Sequence, residues 1–377
     1  MTIHKLADLA DSAACPRLVV KVGSALLVGR DGEPRRAWLA ALVAEIAAMR
    51  ARGQEVIVVS SGAIALGARR LGLAKGGRGS LADAQAAAAV GQIALAGLWA
   101  DLFRQHDLTA AQVLLTLEDL EDRRRYLNVT ATLGTLLAAG AVPVINENDT
   151  VATQEIRFGD NDRLAARVGQ AAAASGVLLL SDIDGLYDRD PRQDGAVRIP
   201  VVRGVTAEIH AMATGGSSSG LGSGGMTSKL QAAEIAELAG MALAIIDGQP
   251  DAPLATAFGA ERGTLFLPRG RKRARKAWLG GKMRLRGAVH VDAGAAQALA
   301  RGSSLLAAGV RAVEGAFQRG DAIAVVGADG RTLARGLSEY DAGECARLMG
   351  RHSREHEDIL GYAPRSALIH RDQLVLV

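Results

Sequence analysis

Aromatic residues are scarce. Phe, Trp and Tyr make up 3% of the 377 residues, so the core must be filled by aliphatic side chains and by helices that approach closely on small residues. Cysteine is scarcer still: Cys15 and Cys345 lie far apart, with no CxxC and no histidine at ligand spacing around either. That excludes a disulfide framework and a zinc site and leaves two plain thiols. No uninterrupted apolar run approaches the roughly 18 residues that span a bilayer, and the opening MTIHKLADLADSAACPR carries acids and lacks a hydrophobic signal region. These absences predict a cytoplasmic location and no membrane partner. Nor does charge of one sign dominate, the net value being +4. Locally it does: Arg269 to Arg286 holds nine Lys/Arg and no acid, the one compositional hint of a polyanionic partner such as RNA.

What is present is rhythm. Up to about residue 268, short aliphatic bursts (RLVVKVG, VIVVSSG, VPVINEND, VLLLSD, LAIIDG) alternate with longer helical patterns, which predicts an α/β fold built on an open, mainly parallel sheet with helices on both faces. AWLAALVAEIAAMRARG reads as a helix capped at Gly53, and NDRLAARVGQAAAASG as a helix capped at Gly176. The expected division is a catalytic domain over 1–268, a basic linker over 269–286 and a small, mainly β domain over 287–377, with a hairpin turn at Asp329-Gly330.

Polarity changes at the end of every burst. Lys21, Gly23 and Ser24 follow the first; Ser60, Ser61 and Gly62 the second; Asn146 to Asp149 the third; Ser181, Asp182 and Asp184 the fourth; Asp247 and Gly248 the last. Ligands bind beyond the carboxyl ends of strands in open α/β sheets, so these five clusters are expected to converge on one crevice. Lys21 is the most telling member, because a lysine inside an apolar strand needs a partner.

The glycine-rich run SGLGSGGMTSKLQAA, Ser219 to Ala233, leads into a helix pattern. It contains GxGxxG at Gly220, Gly222 and Gly225, but no strand immediately precedes it, and Ser228 rather than Gly precedes Lys229, so it is neither a dinucleotide fingerprint nor a Walker A loop. What it offers is free N–H groups, a positive helix end and Lys229, all suited to phosphate. Two lysines flanking a triphosphate would stabilise charge moving in phosphoryl transfer. The acid-rich stretch INENDTVATQEIRFGDNDRLAA contributes Asp149, Asp160, Asn161 and Asp162 as groups that would grip an ammonium, bind a metal or hold the lysines, although DND is also an ordinary helix cap.

KVGSA, VVSSGAIALG, VPVINENDTVATQEIRFGDNDRLAA, LLLSDIDGLYDRDP and SGLGSGGMTSKLQAA together resemble the glutamate 5-kinase family of the amino acid kinase superfamily, in the family's order and across nearly the whole first domain. RGSSLL and FQRGD in the remainder are similar to the PUA domain that many members carry. The resemblance implies transfer of the ATP γ-phosphate to the side-chain carboxylate of L-glutamate, the first step of proline synthesis. It implies that Ser61, Asp149 and Asn161 bind glutamate, with Asp149 on its ammonium group. Lys21, Gly23, Ser24, Ser181, Asp182 and the run Ser223, Gly224, Gly225, Met226, Thr227, Ser228 and Lys229 would bind ATP. Lys21 and Lys229 would stabilise the transferring phosphoryl group, Asp162 orienting both. Mg²⁺ as cofactor, proline as inhibitor and a homo-oligomer are further implications. Ala25 departs from the Ser or Thr usual in the family, and the segment through Pro16 is longer than expected.

The alternatives are an acyl-phosphate kinase acting on another acidic amino acid, and an RNA-binding protein using the basic stretch and the PUA-like part. His370-Arg371-Asp372 spells a protein-kinase triplet without the downstream motifs. His352 and His356, four apart, read as two surface residues on one helical face.

Overall fold

The computed structural model describes residues 3–29, 32–151, 160–213, 225–269 and 285–376. They form two compact units, Met1–Leu120 with Val129–Arg271, and Glu121–Asn128 with Lys272–Val377.

In the first unit, strands β1 (Arg17–Val22), β2 (Glu55–Ser60), β3 (Ala110–Leu115), β4 (Val142–Glu147), β5 (Gly176–Ser181), β8 (Val201–Arg203), β9 (Ala242–Asp247) and β10 (Thr264–Leu267) make one sheet. A small ribbon pairs β6 (Leu186–Tyr187) with β7 (Arg198–Ile199). The sheet order is β3-β4-β2-β1-β5-β9-β10-β8. All pairings are parallel except β9 with β10. All five bursts are strands, and β1, β2 and β5 are almost wholly buried, which is why they read as uninterrupted aliphatic runs. The chain leaves β1 toward β2 and later returns on its other side at β5, so strand order reverses beside β1, the position at whose carboxyl ends open α/β sheets bind ligands.

The long helix Leu81–Arg104 corrects the expectation about apolar runs. Its length and mean hydropathy of 1.5 over 18 residues would suffice for a membrane span, because alanines and glycines sustain hydropathy without forming an obvious aliphatic block. Its inner face packs against the helix Ala63–Leu71 with backbones nearly touching. A Cβ on Gly67 would lie 1.7 Å from the Ala87 carbonyl oxygen, and one on Gly91 would lie 1.8 Å from that of Ala63. Backbone cannot rotate away, so Gly67→Ala must separate the helices; we expect it to cost about 3 kcal/mol, read as a lower denaturation midpoint at unchanged m.

The opening residues are part of the core. Leu6, Leu9 and Cys15 are buried in it, and Gln54 donates to the Leu9 and Cys15 carbonyls at 2.7 Å each. Glu261, at a left-handed φ of 47°, accepts from the Leu6 and Ala7 amides. This packing also corrects the reading of Gly176. The helix Asp160–Ala171 ends before it, with Ala173 in the left-handed position, and Gly176 instead opens β5, where a Cβ would come within 2.6 Å of Leu9 Cδ2.

The second unit holds β11 (Gly287–Val291), β12 (Val310–Gly315), β13 (Ala322–Val326), β14 (Thr332–Leu337) and β15 (Leu374–Leu376), ordered β12-β11-β13-β14-β15. β13 and β14 are antiparallel, and the turn between them carries Asp329 and Gly330 as expected, with Gly330 at a φ of 76°. Leu127 packs on Ala322, Leu337 and Val375. His356 is not a surface residue: it is 1% exposed, edge-on to Tyr340 with ring centroids 6.5 Å apart. A 3₁₀ turn over Ser353–Glu355 separates His352 from the helix His356–Leu360, so the two histidines never share a helical face.

Candidate active site

Strand register gathers the polar ends. Val22 lies opposite both Ser60 and Leu180, and Ser181 opposite Asp247, so the residues closing β1, β2, β5 and β9 share one edge of the sheet. Lys21 projects from β1 with its side chain 11% exposed, and Lys229 from the second turn of the helix Met226–Ala239 with 8% exposed. Both reach Asp162, in the first turn of the helix Asp160–Ala171: Lys21 Nζ is 2.6 Å from Oδ1, and Lys229 Nζ is 3.2 Å from Oδ2. The carboxylate is wholly buried. Burial opposes its charge, yet the two ammonium groups outweigh burial and hold it below the usual carboxylate range. For Lys21 the balance goes the other way: desolvation and the nearby Lys229 lower its pKa despite the attraction of Asp162. One buried anion between two cations leaves a net positive charge, an electrostatic seat for an anion.

The backbone around this cluster is open. Lys21 Nζ lies 3.6 Å from where a Cβ on Gly23 would stand, so any larger residue there would pack a side chain directly against the ammonium group. Ser24 begins the short helix Ser24–Leu27 directly after Gly23. Gly225 caps the helix that carries Met226, Thr227, Ser228 and Lys229, and Thr227 is exposed there. Ser181 donates to Asp182 at 3.2 Å, and the carboxylate of Asp182, itself exposed, favours the charge on Lys21. Ser223 and Gly224, which the resemblance assigns to ATP, lie outside the described residues, as does the side chain of Asp160.

A second polar group adjoins the carboxyl ends of β2 and β4. Asn161 Nδ2 donates to Ser61 Oγ at 2.6 Å and to Asn146 Oδ1 at 3.2 Å. Asn146 in turn donates to Gln92 Oε1 at 2.8 Å. Trp99, from the same helix as Gln92, donates its indole N–H to Ser60 Oγ at 2.9 Å. Asp149 sits in the turn after β4, half-buried, and desolvation raises its pKa to about 6. A half-buried carboxylate whose charge is opposed by desolvation is energetically primed for a cation. The structure thus brings Lys21, Asp162 and Lys229 into one contact cluster and Ser61 with Asn161 into a neighbouring one. Gln92 and Trp99 went unseen in the sequence; the glycine recurring with an indole in an alanine-rich helix was the available signal of tight packing.

Residues 16–247 match the Amino acid kinase family and residues 287–360 the PUA domain. The Giardia lamblia carbamate kinase solved with AMP-PNP superposes with a TM-score of 0.50 at 14% identity, covering 68% of this chain and 99% of that one, which supports the fold. Among curated relatives, "Glutamate 5-kinase" of Novosphingobium aromaticivorans is 86% identical over 377 residues, 100% of both chains, and that of Sphingopyxis alaskensis is 61% identical over 97% of this chain and 98% of its own. The chain belongs to the amino acid kinase family, in its glutamate 5-kinase branch.

Proposed function

We propose that this chain transfers the γ-phosphate of ATP to the side-chain carboxylate of L-glutamate, giving glutamyl 5-phosphate. The single observation that supports this most directly is the Lys21–Asp162–Lys229 cluster, whose ion pairs measure 2.6 and 3.2 Å. A phosphoryl group in flight carries charge on its equatorial oxygens, and fixed ammonium groups stabilise it without reorganisation. A carboxylate nucleophile, with a pKa near 4.3 in water, is already ionised at neutral pH, so no side chain is needed as a base. Catalysis then reduces to placing two anions against each other and offsetting their repulsion. Lys21 and Lys229 do the second, and Asp162 aims both. Ser61, Asn161 and Asp149 do the first, with Asp149 on the ammonium group. Ser24, Ser181, Asp182 and the Gly225–Lys229 helix start hold the nucleotide.

Among the described residues no three His, Cys, Asp or Glu side chains gather at metal-binding distance, so Mg²⁺ fits here as an ion carried on the nucleotide's own phosphates rather than in a protein cage. Bound there, it would neutralise phosphate charge. A cytoplasmic location, inhibition by proline and a homo-oligomeric state belong to the same reading. The basic stretch lies mostly outside the described residues and favours no separate RNA-binding reading.

ADP release is the test, measured with glutamate, aspartate and acetylglutamate across pH 5 to 8. Glutamate is expected to be preferred; preference for another acid would sink the proposal. Asp149 adds a pH signature. With its pKa raised to about 6, it is ionised above that value and gains a proton below it, losing its grip on ammonium. Glutamate kcat/KM should therefore fall about tenfold per unit below pH 6, with kcat at saturation changing far less. In Asp149→Asn the value should be low throughout and this limb absent.

A further inference from the structure

Hydrogen-bond polarity runs in one direction through the amides next to Ser61. The Ser60 carbonyl oxygen only accepts, and Asn161 Nδ2 lies 3.5 Å from it, 2.6 Å from Ser61 Oγ and 3.2 Å from Asn146 Oδ1. The Asn161 amide nitrogen therefore faces this side. Asn146 must answer with its oxygen, which turns its own amide nitrogen toward Gln92, and Gln92 must answer with Oε1, 2.8 Å away. At the other end, Ser61 Oγ is an acceptor for Asn161, so, among the described residues, its proton is left for an anion. Asn161 Oδ1 is buried and has no partner among the described residues. The orientation of that amide thus depends on what Nδ2 finds, and through Asn146 on the acceptor supplied by Gln92.

We propose that Gln92 is a positioning residue for the amino acid: by presenting an acceptor to Asn146 it sets the Asn161 amide, and so makes Ser61 a hydrogen-bond donor to a substrate carboxylate. Gln92 lies on the helix Leu81–Arg104 one residue after Gly91, the point where that helix is pinned against the helix beginning at Ala63. The close crossing therefore fixes where the acceptor stands. This inference rests on the glutamate reading above and concerns binding in the ground state. Gln92 touches no reacting atom.

Substitutions at Gln92 separate polarity from packing. Gln92→Met keeps the bulk and removes the acceptor; Gln92→Glu keeps an acceptor at the cost of a charge. We expect the Met variant to raise glutamate KM about tenfold, the scale of a buried donor left without its partner, with kcat and ATP KM within about twofold of the parent. Gln92→Glu should recover most of the glutamate affinity. A side chain needed only for packing would give the reverse order, Met harmless and Glu harmful, and that order, or a Met variant with unchanged glutamate KM, overturns the proposal. Gln92→Ala, on a helix already rich in alanine, carries the same expectation as Met, and melting curves of all three establish that folded protein is assayed. A parent chain that releases no ADP with glutamate refutes the glutamate reading itself; an active parent with an indifferent Gln92 refutes this inference alone.

Discussion

Lys229→Ala should lower kcat by about a thousandfold while changing glutamate KM by no more than about threefold. The lysine enters the site from a helix start and touches Asp162 at 3.2 Å with its side chain almost buried. On the proposed function its charge would stand beside the bridging and equatorial oxygens as they gain negative charge, an interaction stronger in the transition state than with bound nucleotide. Losses confined to the transition state appear in kcat and in kcat/KM equally. The fold should tolerate the change, because Asp162 keeps Lys21 at 2.6 Å. Lys229→Met, which preserves the buried stem but not the charge, should be as inactive as the Ala variant. Steady-state kinetics with both substrates varied would show it, and normal turnover in either variant would remove Lys229 from the chemistry.

Such residues were legible in the sequence for a physical reason. A lysine in a strand of valines, or a lysine after seven glycines and serines, breaks its local pattern, and the structure brings both breaks together on Asp162. The five bursts were legible because buried parallel strands are aliphatic throughout. β3, β8 and β10 were not, since β3 and β8 lie at the sheet's edges, where burial is mixed, and β8 and β10 are only three and four residues long. Gln92 was illegible because a glutamine among alanines looks like any residue on a solvated helix face; its meaning is fixed by Asn146, which lies 54 positions away. His356 was misread from spacing alone, which presumed a continuous helix where a 3₁₀ turn intervenes. The opening segment could not be placed because its contacts, Gln54 and Glu261, are equally remote.

Asp162→Ala should do more damage than either lysine variant, because among the described residues it is the carboxylate seen paired with both lysines. Two largely buried ammonium groups, their side chains 11% and 8% exposed, would lose the carboxylate they share. Breaking a buried ion pair costs about 3 to 5 kcal/mol, since the remaining charge keeps its desolvation penalty without compensation. Part of that cost is avoidable: Lys21 already has a lowered pKa from burial and from its neighbour Lys229, a shift that Asp162 and Asp182 oppose. Without Asp162 its pKa must fall further. The sign follows directly. The proposed reaction needs the ammonium form, a lower pKa means that form is lost at lower pH, and so the alkaline limb of the kcat profile should move toward neutrality in the variant. At pH 8 turnover should be down by about ten-thousandfold, with a smaller deficit at pH 6. On the proposed function bound nucleotide would restore negative charge beside the lysines, so ATP should raise the melting temperature of Asp162→Ala by more than that of the parent. A variant whose pH profile and nucleotide-dependent melting both match the parent would show that the carboxylate does not govern the two lysines.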